Sequence, residues 1–241
     1  MIEDLFVCGD IHGELETLVF NAVEKKKLKD AGIIVVGDFG AGFGNPKSMD
    51  VKYEKVLKRL ERNNLKIYTV RGNHDDPSFF DGKHDYDRLE FLQDHTITEI
   101  CGWKIYPIGG AVSQDIDFKS SMTAKTRREI NEKLIKVRSS RRVWWPDEGI
   151  VQKRKGLPIK VDMIISHAAP LTFQPIAERP NYVSKELWDS ILEERRYLDF
   201  VLDSVLAKRW FYGHYHINAS GSRGDLLHRC LPPHELFKVY Q

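Results

Sequence analysis

Acidic, amide and imidazole side chains recur in five short clusters, each set where an apolar run stops. They are Gly9-Asp10-Ile11-His12-Gly13, Gly37-Asp38, Gly72-Asn73-His74-Asp75, Ser166-His167 and Gly213-His214-Tyr215-His216. Carboxylate oxygens are hard donors and imidazole nitrogens borderline ones, a mixture that suits Mn, Fe or Zn better than Ca or Mg alone. Cys8, Cys101 and Cys230 stand outside every cluster, so a structural zinc held by four thiolates is not expected. Six or more such donors suffice for two divalent ions bridged by one carboxylate. Two ions about 3.5–4 Å apart can acidify a bridging water and clamp the attacking and leaving oxygens of a phosphoryl group.

Residues so far apart can share one centre only if the elements before them are aligned. Leu5–Cys8, Ile33–Val36 and Lys66–Val70 are apolar, partly β-branched runs, and each stops just before a cluster. Such runs read as strands buried on both faces. Between them, Glu14–Lys29 has helical periodicity through Leu15, Leu18, Val19, Ala22 and Val23. Asp50–Arg62 reads as a second helix, with Val51, Val56, Leu57 and Leu60 inward. This β-α-β-α-β order favours parallel pairing with right-handed crossovers. Further on, Trp103–Ile108, Val161–Ile165 and Trp210–Tyr212 read as strands, and Thr123–Val137 and Lys185–Lys208 as helices. The carboxyl ends of strands in an α/β sheet form the crevice where ligands bind. All five clusters would therefore meet along one edge.

Composition is that of a folded chain, with 41% hydrophobic and 30% charged residues in 241. No internal repeat or clear linker divides it, so one domain over 1–241 with an insertion at about 111–160 is the simplest organisation. The net charge of +2 conceals thirteen Lys/Arg against four Asp/Glu between Lys119 and Lys160. That basic stretch reads either as a solvated helical face or as an attractor for an anionic substrate. Three scattered cysteines suit a reducing compartment. No apolar run approaches the roughly 18 residues of a membrane span, and no signal-peptide pattern opens the chain. A cytoplasmic protein without membrane attachment is expected.

The ordered set D-x-H, GD, GNHD, H and GHxH, from Asp10 to His216, resembles the signature of the calcineurin-like metallophosphoesterases. The resemblance implies an α/β (α+β-like) fold, a four-layer αββα sandwich with a di-metal site at the carboxyl ends of its strands. It implies that Asp10, His12 and His216 hold one ion, that Asp38 bridges, and that Asn73, through its amide oxygen, His167 and His214 hold the other. His74 would be the general acid, with Asp75 orienting its imidazole. The ions implied are two divalent metals, manganese first, with iron, zinc or nickel as alternatives. The activity implied is metal-dependent hydrolysis of a phosphate ester by a metal-bridging hydroxide. The partner implied is a phosphorylated small molecule, nucleotide or phosphoprotein. Taken singly, Asp10 and Asp38 also read as turn residues or helix N-caps.

The same comparison sets limits. GDIHG resembles protein serine/threonine phosphatases and bis(nucleosyl)tetraphosphatases, which carry an arginine shortly after the second cluster to grip phosphate. Gly37-Asp38-Phe39-Gly40-Ala41-Gly42-Phe43-Gly44 has none, which counts against both subgroups, and Phe39 and Phe43 could shape an apolar wall instead. The long stretch from Asp76 to Ser166 is expected to fold over the metals as a cap. Arg127 and Arg128 would contact phosphate there, and Trp145 would stack on a base or sugar. The alternative is that Trp144 and Trp145 anchor the insertion. A nuclease-type phosphodiesterase is the second enzymatic reading, with nucleic acid a less favoured partner. A non-catalytic scaffold that kept the fold is the reading outside catalysis. His84, His95, His228 and His234 match no motif and are expected at the surface or in loops.

Overall fold

The computed structural model of the chain describes residues 2–43, 47–84, 86–113, 145, 147–158, 160–176 and 178–240. In chain order its strands are β1 (Asp4–Cys8), β2 (Ala31–Val35), β3 (Leu65–Thr69), β4 (Leu89–Phe91), β5 (Thr98–Ile100) and β6 (Trp103–Ile108). They continue with β7 (Met163–Ser166), β8 (Arg209–Tyr212), β9 (Ala219–Arg223), β10 (Leu226–Cys230) and β11 (Leu236–Val239). Among the described residues they form a five-stranded sheet, β11-β1-β2-β3-β4, and a six-stranded sheet, β5-β6-β7-β8-β10-β9. β1 to β4 run parallel, as do β6, β7, β8 and β10, so the strands that precede the five clusters end in register with their neighbours.

Alternating side chains build the layers. Leu5 and Val7 of β1 and Ile34 of β2 face Ile105, Met163, Ile165 and Phe211 of the other sheet. Their neighbours Phe6, Cys8, Ile33 and Val35 pack on the opposite face, beneath α1 (Leu15–Phe20) and α2 (Lys47–Arg62). In the second sheet Tyr106, Ile164, Trp210 and Tyr212 turn outward, against α3 (Lys185–Ser204). Each fully buried Leu or Ile contributes roughly 1.5–3 kcal/mol. The result is the expected αββα sandwich, its middle interface made of aliphatic residues from both sheets.

Three helices depart from their sequence patterns for identifiable reasons. The expected Glu14–Lys29 helix is α only to Phe20 and continues as a π turn over Asn21–Lys25. It closes when Leu28 N donates to Ala22 O and Lys27 takes a left-handed φ of 56°, a Schellman-type stop. In α2 the buried stripe is Met49, Tyr53, Val56 and Leu60, whereas Val51 faces solvent at 51% exposure. The inward phase therefore starts at Met49 rather than Val51. α3 begins where Ser184 Oγ accepts from Leu187 N at 3.2 Å. It stops at Ser204, short of Lys208, because the next residues join the sheet: Lys160 pairs with Leu206, and Lys208 N donates to Asp162 O. The Thr123–Val137 helix expected from the sequence lies outside the described residues.

The boundary residues of the 111–160 stretch are tied down by buried charge. Glu194 of α3 accepts from Val112 N through one oxygen and from Ile150 N through the other, both at 2.7 Å. Burial pushes its carboxyl above the ordinary glutamate range, against those two hydrogen bonds and the Arg71 charge. Such a shift makes the ionised form more costly folded than unfolded. This contribution to stability is therefore largest below the ordinary glutamate pKa and is lost as pH rises through the raised one. Glu194→Gln offers a single oxygen where two N–H groups each need an acceptor. It should cost about 1–3 kcal/mol, read as a lower urea midpoint, and should remove this group's share of the pH dependence. An unchanged midpoint would show that the clamp contributes nothing to stability.

Candidate metal centre

Short turns after the strands bring the clusters together. Ile11 N and His12 N both donate to Asp38 O, at 3.3 and 2.7 Å, and Gly13 N donates to Phe39 O. The first and second turns are thus zipped to each other. Gly213 N donates to His167 O at 3.1 Å, joining the fourth and fifth. His74 N donates to Asp38 Oδ1 at 2.9 Å, joining the third to the second. Four of the candidate ligands hold left-handed backbone: His12 (φ 45°), Asp38 (48°), His214 (68°) and His216 (54°). Non-glycine residues there cost on the order of 1–3 kcal/mol each and persist only where their surroundings over-determine them. Such strain concentrates at functional sites.

The side chains converge accordingly. Asp10, His12 and His216 present donor atoms within 4.8 Å of one another, and so do Asp10, Asp38 and His167. His216 Nε2 lies 3.1 Å from Asp10 Oδ2 and 3.1 Å from His12 Nε2. Asp38 sits between the two halves, 3.9 Å from His12 on one side and 3.4 Å from His167 on the other. Asn73 Oδ1 meets His167 Nε2 at 2.9 Å and His214 Nδ1 at 3.0 Å, so one amide oxygen and two imidazoles aim at the same space. Hard oxygens interleaved with imidazole nitrogens are groups that could hold a metal ion. All seven residues expected to hold metal are in this constellation.

Charge balance explains how it tolerates burial. Asp10 and Asp38 are 0% and 2% exposed. Burial works to raise the Asp38 carboxyl, but His167, His74 and His12 around it outweigh that and hold it well below the ordinary carboxylate range. Burial likewise opposes a charged His167, yet the facing Asp38 carboxylate lifts it to about 9. His214 goes the other way: desolvation, with His167 beside it, keeps it neutral far below the usual imidazole range. A divalent cation would take the place of the imidazole protons in compensating these carboxylates.

The third cluster is organised differently from expectation. Asp75 does not lie against the His74 imidazole. Its oxygens accept from Phe39 N (3.1 Å), Gly40 N (2.6 Å), Ala41 N (2.9 Å) and Gly72 N (2.8 Å). Burial and the neighbouring Asp38 raise its carboxyl to about 6. A carboxylate with four backbone donors is a staple for the glycine-rich turn that presents Asp38. His74 itself reaches toward the centre, its Nε2 4.0 Å from Asp38 Oδ2.

A cavity of about 370 Å³ opens over these groups and is walled elsewhere by Ile176, Tyr182 and Tyr215. A larger one, about 460 Å³, lies across β8 to β10 and β11 among Phe211, Leu227 and Phe237. It gathers none of the candidate ligands, so the chemistry belongs to the smaller. Arg127 and Arg128 fall outside the described residues. Trp145 is half-buried and its indole N–H donates to His74 O at 3.3 Å. Of the unassigned histidines, His84 is exposed as expected. His95 is half-buried and bonded to the Tyr106 hydroxyl and Val151 O, and His228 of β10 stacks on Phe173. Sequence reasoning assigns no role to Ser113 and Glu148, which stand behind Asn73. Polar residues in an irregular stretch carry no periodicity to mark them.

A two-sheet sandwich that delivers carboxylates and imidazoles from successive strand ends to one buried cluster is the frame of a metal-dependent hydrolase. The family model for calcineurin-like phosphoesterases matches residues 4–218, and the chain belongs to that family. It is a hydrolase acting on phosphoric esters. No curated protein sequence gives a significant match. Similar solved structures include TT1561 of Thermus thermophilus, 11% identical over 99% of both chains with a TM-score of 0.48. Another is the phosphopantetheinyl hydrolase PptH of Mycobacterium tuberculosis, 15% identical over 96% of this chain and 90% of that one, TM-score 0.43. Among the described residues no helix is long and apolar enough to cross a membrane.

Packing around the cluster leaves no slack. A Cβ added at Gly213 would lie 2.1 Å from Asp10 Oδ1, and one at Gly72 would lie 2.1 Å from both Asp38 N and Asp38 Oδ1. Gly213→Ala should therefore displace the Asp10 carboxylate and abolish tight uptake of a divalent cation while leaving the circular dichroism spectrum unchanged. Wild-type uptake by this variant would show that Asp10 is not held where metal binds.

Proposed function

We propose that the protein hydrolyses a phosphate ester at two divalent ions, one held by Asp10, His12 and His216, the other by Asn73, His167 and His214, with Asp38 between them. The observation that carries this is the position of Asp38, 3.9 Å from His12 and 3.4 Å from His167. When bound, such ions supply Lewis acidity toward phosphoryl oxygens and an activated water at neutral pH. The chain's own residues do the rest. Asp10 and Asp38 fix the negative charge that selects for cations, and the zipped turns hold the candidate ligands in place. His74, partly exposed at the cavity and joined through its backbone N–H to Asp38 Oδ1, is the side chain placed to give a proton to the departing alkoxide. Ile176 and Tyr182, which also line the cavity, would receive the organic part of the ester. A phosphorylated small molecule or nucleotide fits a cavity of about 370 Å³. The donor set suits manganese, iron or zinc.

Two variants test the reading separately. Asp10→Asn should abolish hydrolysis of an aryl phosphate in Mn²⁺ and remove metal measured by elemental analysis; full activity would refute it. His74→Asn should retain metal. It should lose about 10²–10⁴-fold on an alkyl phosphate, whose leaving group needs protonation, and much less on p-nitrophenyl phosphate. Equal losses on both substrates would remove His74 from the role of general acid.

A further inference from the structure

The side-chain amide of Asn73 has two orientations, and only the one with Oδ1 toward His167 and His214 offers a metal an oxygen. The other turns an NH₂ group, a donor, toward the cation. Asn73 is 3% exposed, and the protein groups behind it settle the choice. Asn73 Nδ2 lies 2.9 Å from Ser113 Oγ, and Ser113 Oγ lies 3.0 Å from Glu148 Oε2, while Glu148 Oε1 accepts from Ser113 N at 2.8 Å. Ser113 and Glu148 are 1% and 2% exposed.

The polarity of this chain follows from donor and acceptor counts. A carboxylate accepts only, and a hydroxyl has one proton. With Glu148 facing it, the Ser113 hydroxyl proton goes to Glu148, and Ser113 Oγ is left to accept. The group opposite must then donate, so Asn73 turns its NH₂ to Ser113 and its oxygen to the metal space. We infer that Glu148 and Ser113 are positioning residues of this phosphoesterase, which act by fixing the Asn73 amide in its metal-accepting orientation. Glu148 is itself anchored: Arg71, 2% exposed and paired with Asp94 at 3.0 Å, donates to the carbonyl oxygens of Asp147, Glu148 and Gly149. The inference rests on the proposed metal centre and assigns to that centre two residues from outside the five clusters.

Because the mechanism is one of polarity, an isosteric change should reverse it. In Glu148→Gln, the new amide can keep its oxygen on Ser113 N and donate from its NH₂ to Ser113 Oγ. The serine proton is then released toward residue 73, and the NH₂ of Asn73 is no longer required there. Mn²⁺ affinity of the chelator-stripped protein, measured by titration calorimetry, should fall about 10–100-fold, the usual cost of losing a partner behind a metal ligand. Ser113→Ala should act in the same direction. In an Asn73→Asp background the carboxylate oxygen turned away from the metal needs a donor. The released serine proton of Glu148→Gln supplies one, so this second change should there leave Mn²⁺ affinity unchanged or raise it. A merely structural role for Glu148 predicts equal losses in both backgrounds, and that result would overturn the inference. So would wild-type affinity in Glu148→Gln alone. Melting temperatures of the metal-free variants separate loss of fold from loss of affinity. If the wild-type protein itself took up none of Mn²⁺, Fe²⁺, Zn²⁺ and Ni²⁺, the proposed function would fail, and the relay with it.

Discussion

Two carboxylates, Asp10 and Asp38, are buried almost completely at the meeting point of the two sheets. Removing an ionised group from water costs several kcal/mol even after relaxation, and here two like charges share one small space. Imidazoles on every side, together with backbone N–H groups from His74 and His214, compensate them. The left-handed turns at His12, Asp38, His214 and His216 follow from the same need, since each aims a side chain or N–H into a space that an extended backbone would miss. The arrangement is held in place by the apolar interface between the sheets, which is why all the chemistry sits at the ends of strands whose bodies are aliphatic.

That constraint extends outward through a further layer of buried polar groups. Asp75 staples the turn that presents Asp38. Arg71 gathers carbonyl oxygens around Asp94 and the residues 147–149, and Glu194 joins Val112 to Ile150. Buried charges that are fully hydrogen-bonded specify one arrangement, and a single missing partner is costly. The described edges of the 111–160 stretch are therefore not free loops. They are bolted to the third cluster, and Trp145 adds a direct bond to the His74 carbonyl.

How much of this a sequence can disclose depends on the kind of interaction. The strands are legible because burial on both faces demands unbroken apolar runs, and the candidate ligands stand out because each follows such a run. The inward phase of α2 is not, since Val51 and Met49 are both apolar and only packing into the core that holds Phe39 and Phe80 favours Met49. The end of α3 escapes the periodicity because Leu206 and Lys208 join a sheet through partners more than forty residues away. Asp75 sits next to His74 in sequence, which suggests contact. Adjacent side chains need not share a direction in a turn, however, and its carboxylate takes four N–H groups, three of them from the second cluster's turn. Ser113 and Glu148 are invisible for a different reason. Their significance lies in the direction of a proton, which no spacing encodes.

The same count of donors bears on how an anionic ester would be handled. The second cluster has no arginine to meet phosphate. Arg71, next to the third cluster, is withdrawn behind the site, its guanidinium engaged by Asp94 and four carbonyl oxygens. Among the described residues, the lining of the cavity over the candidate ligands carries imidazoles, the Asp38 carboxylate, an amide, tyrosines and Ile176, with no lysine or arginine. Metal ions held by Asp10, Asp38 and their partners would then supply the principal positive charge for a phosphoryl group at this surface. On the proposed reading, ligand geometry, and with it the orientation of a single amide at Asn73, would bear on phosphate binding as well as on metal binding.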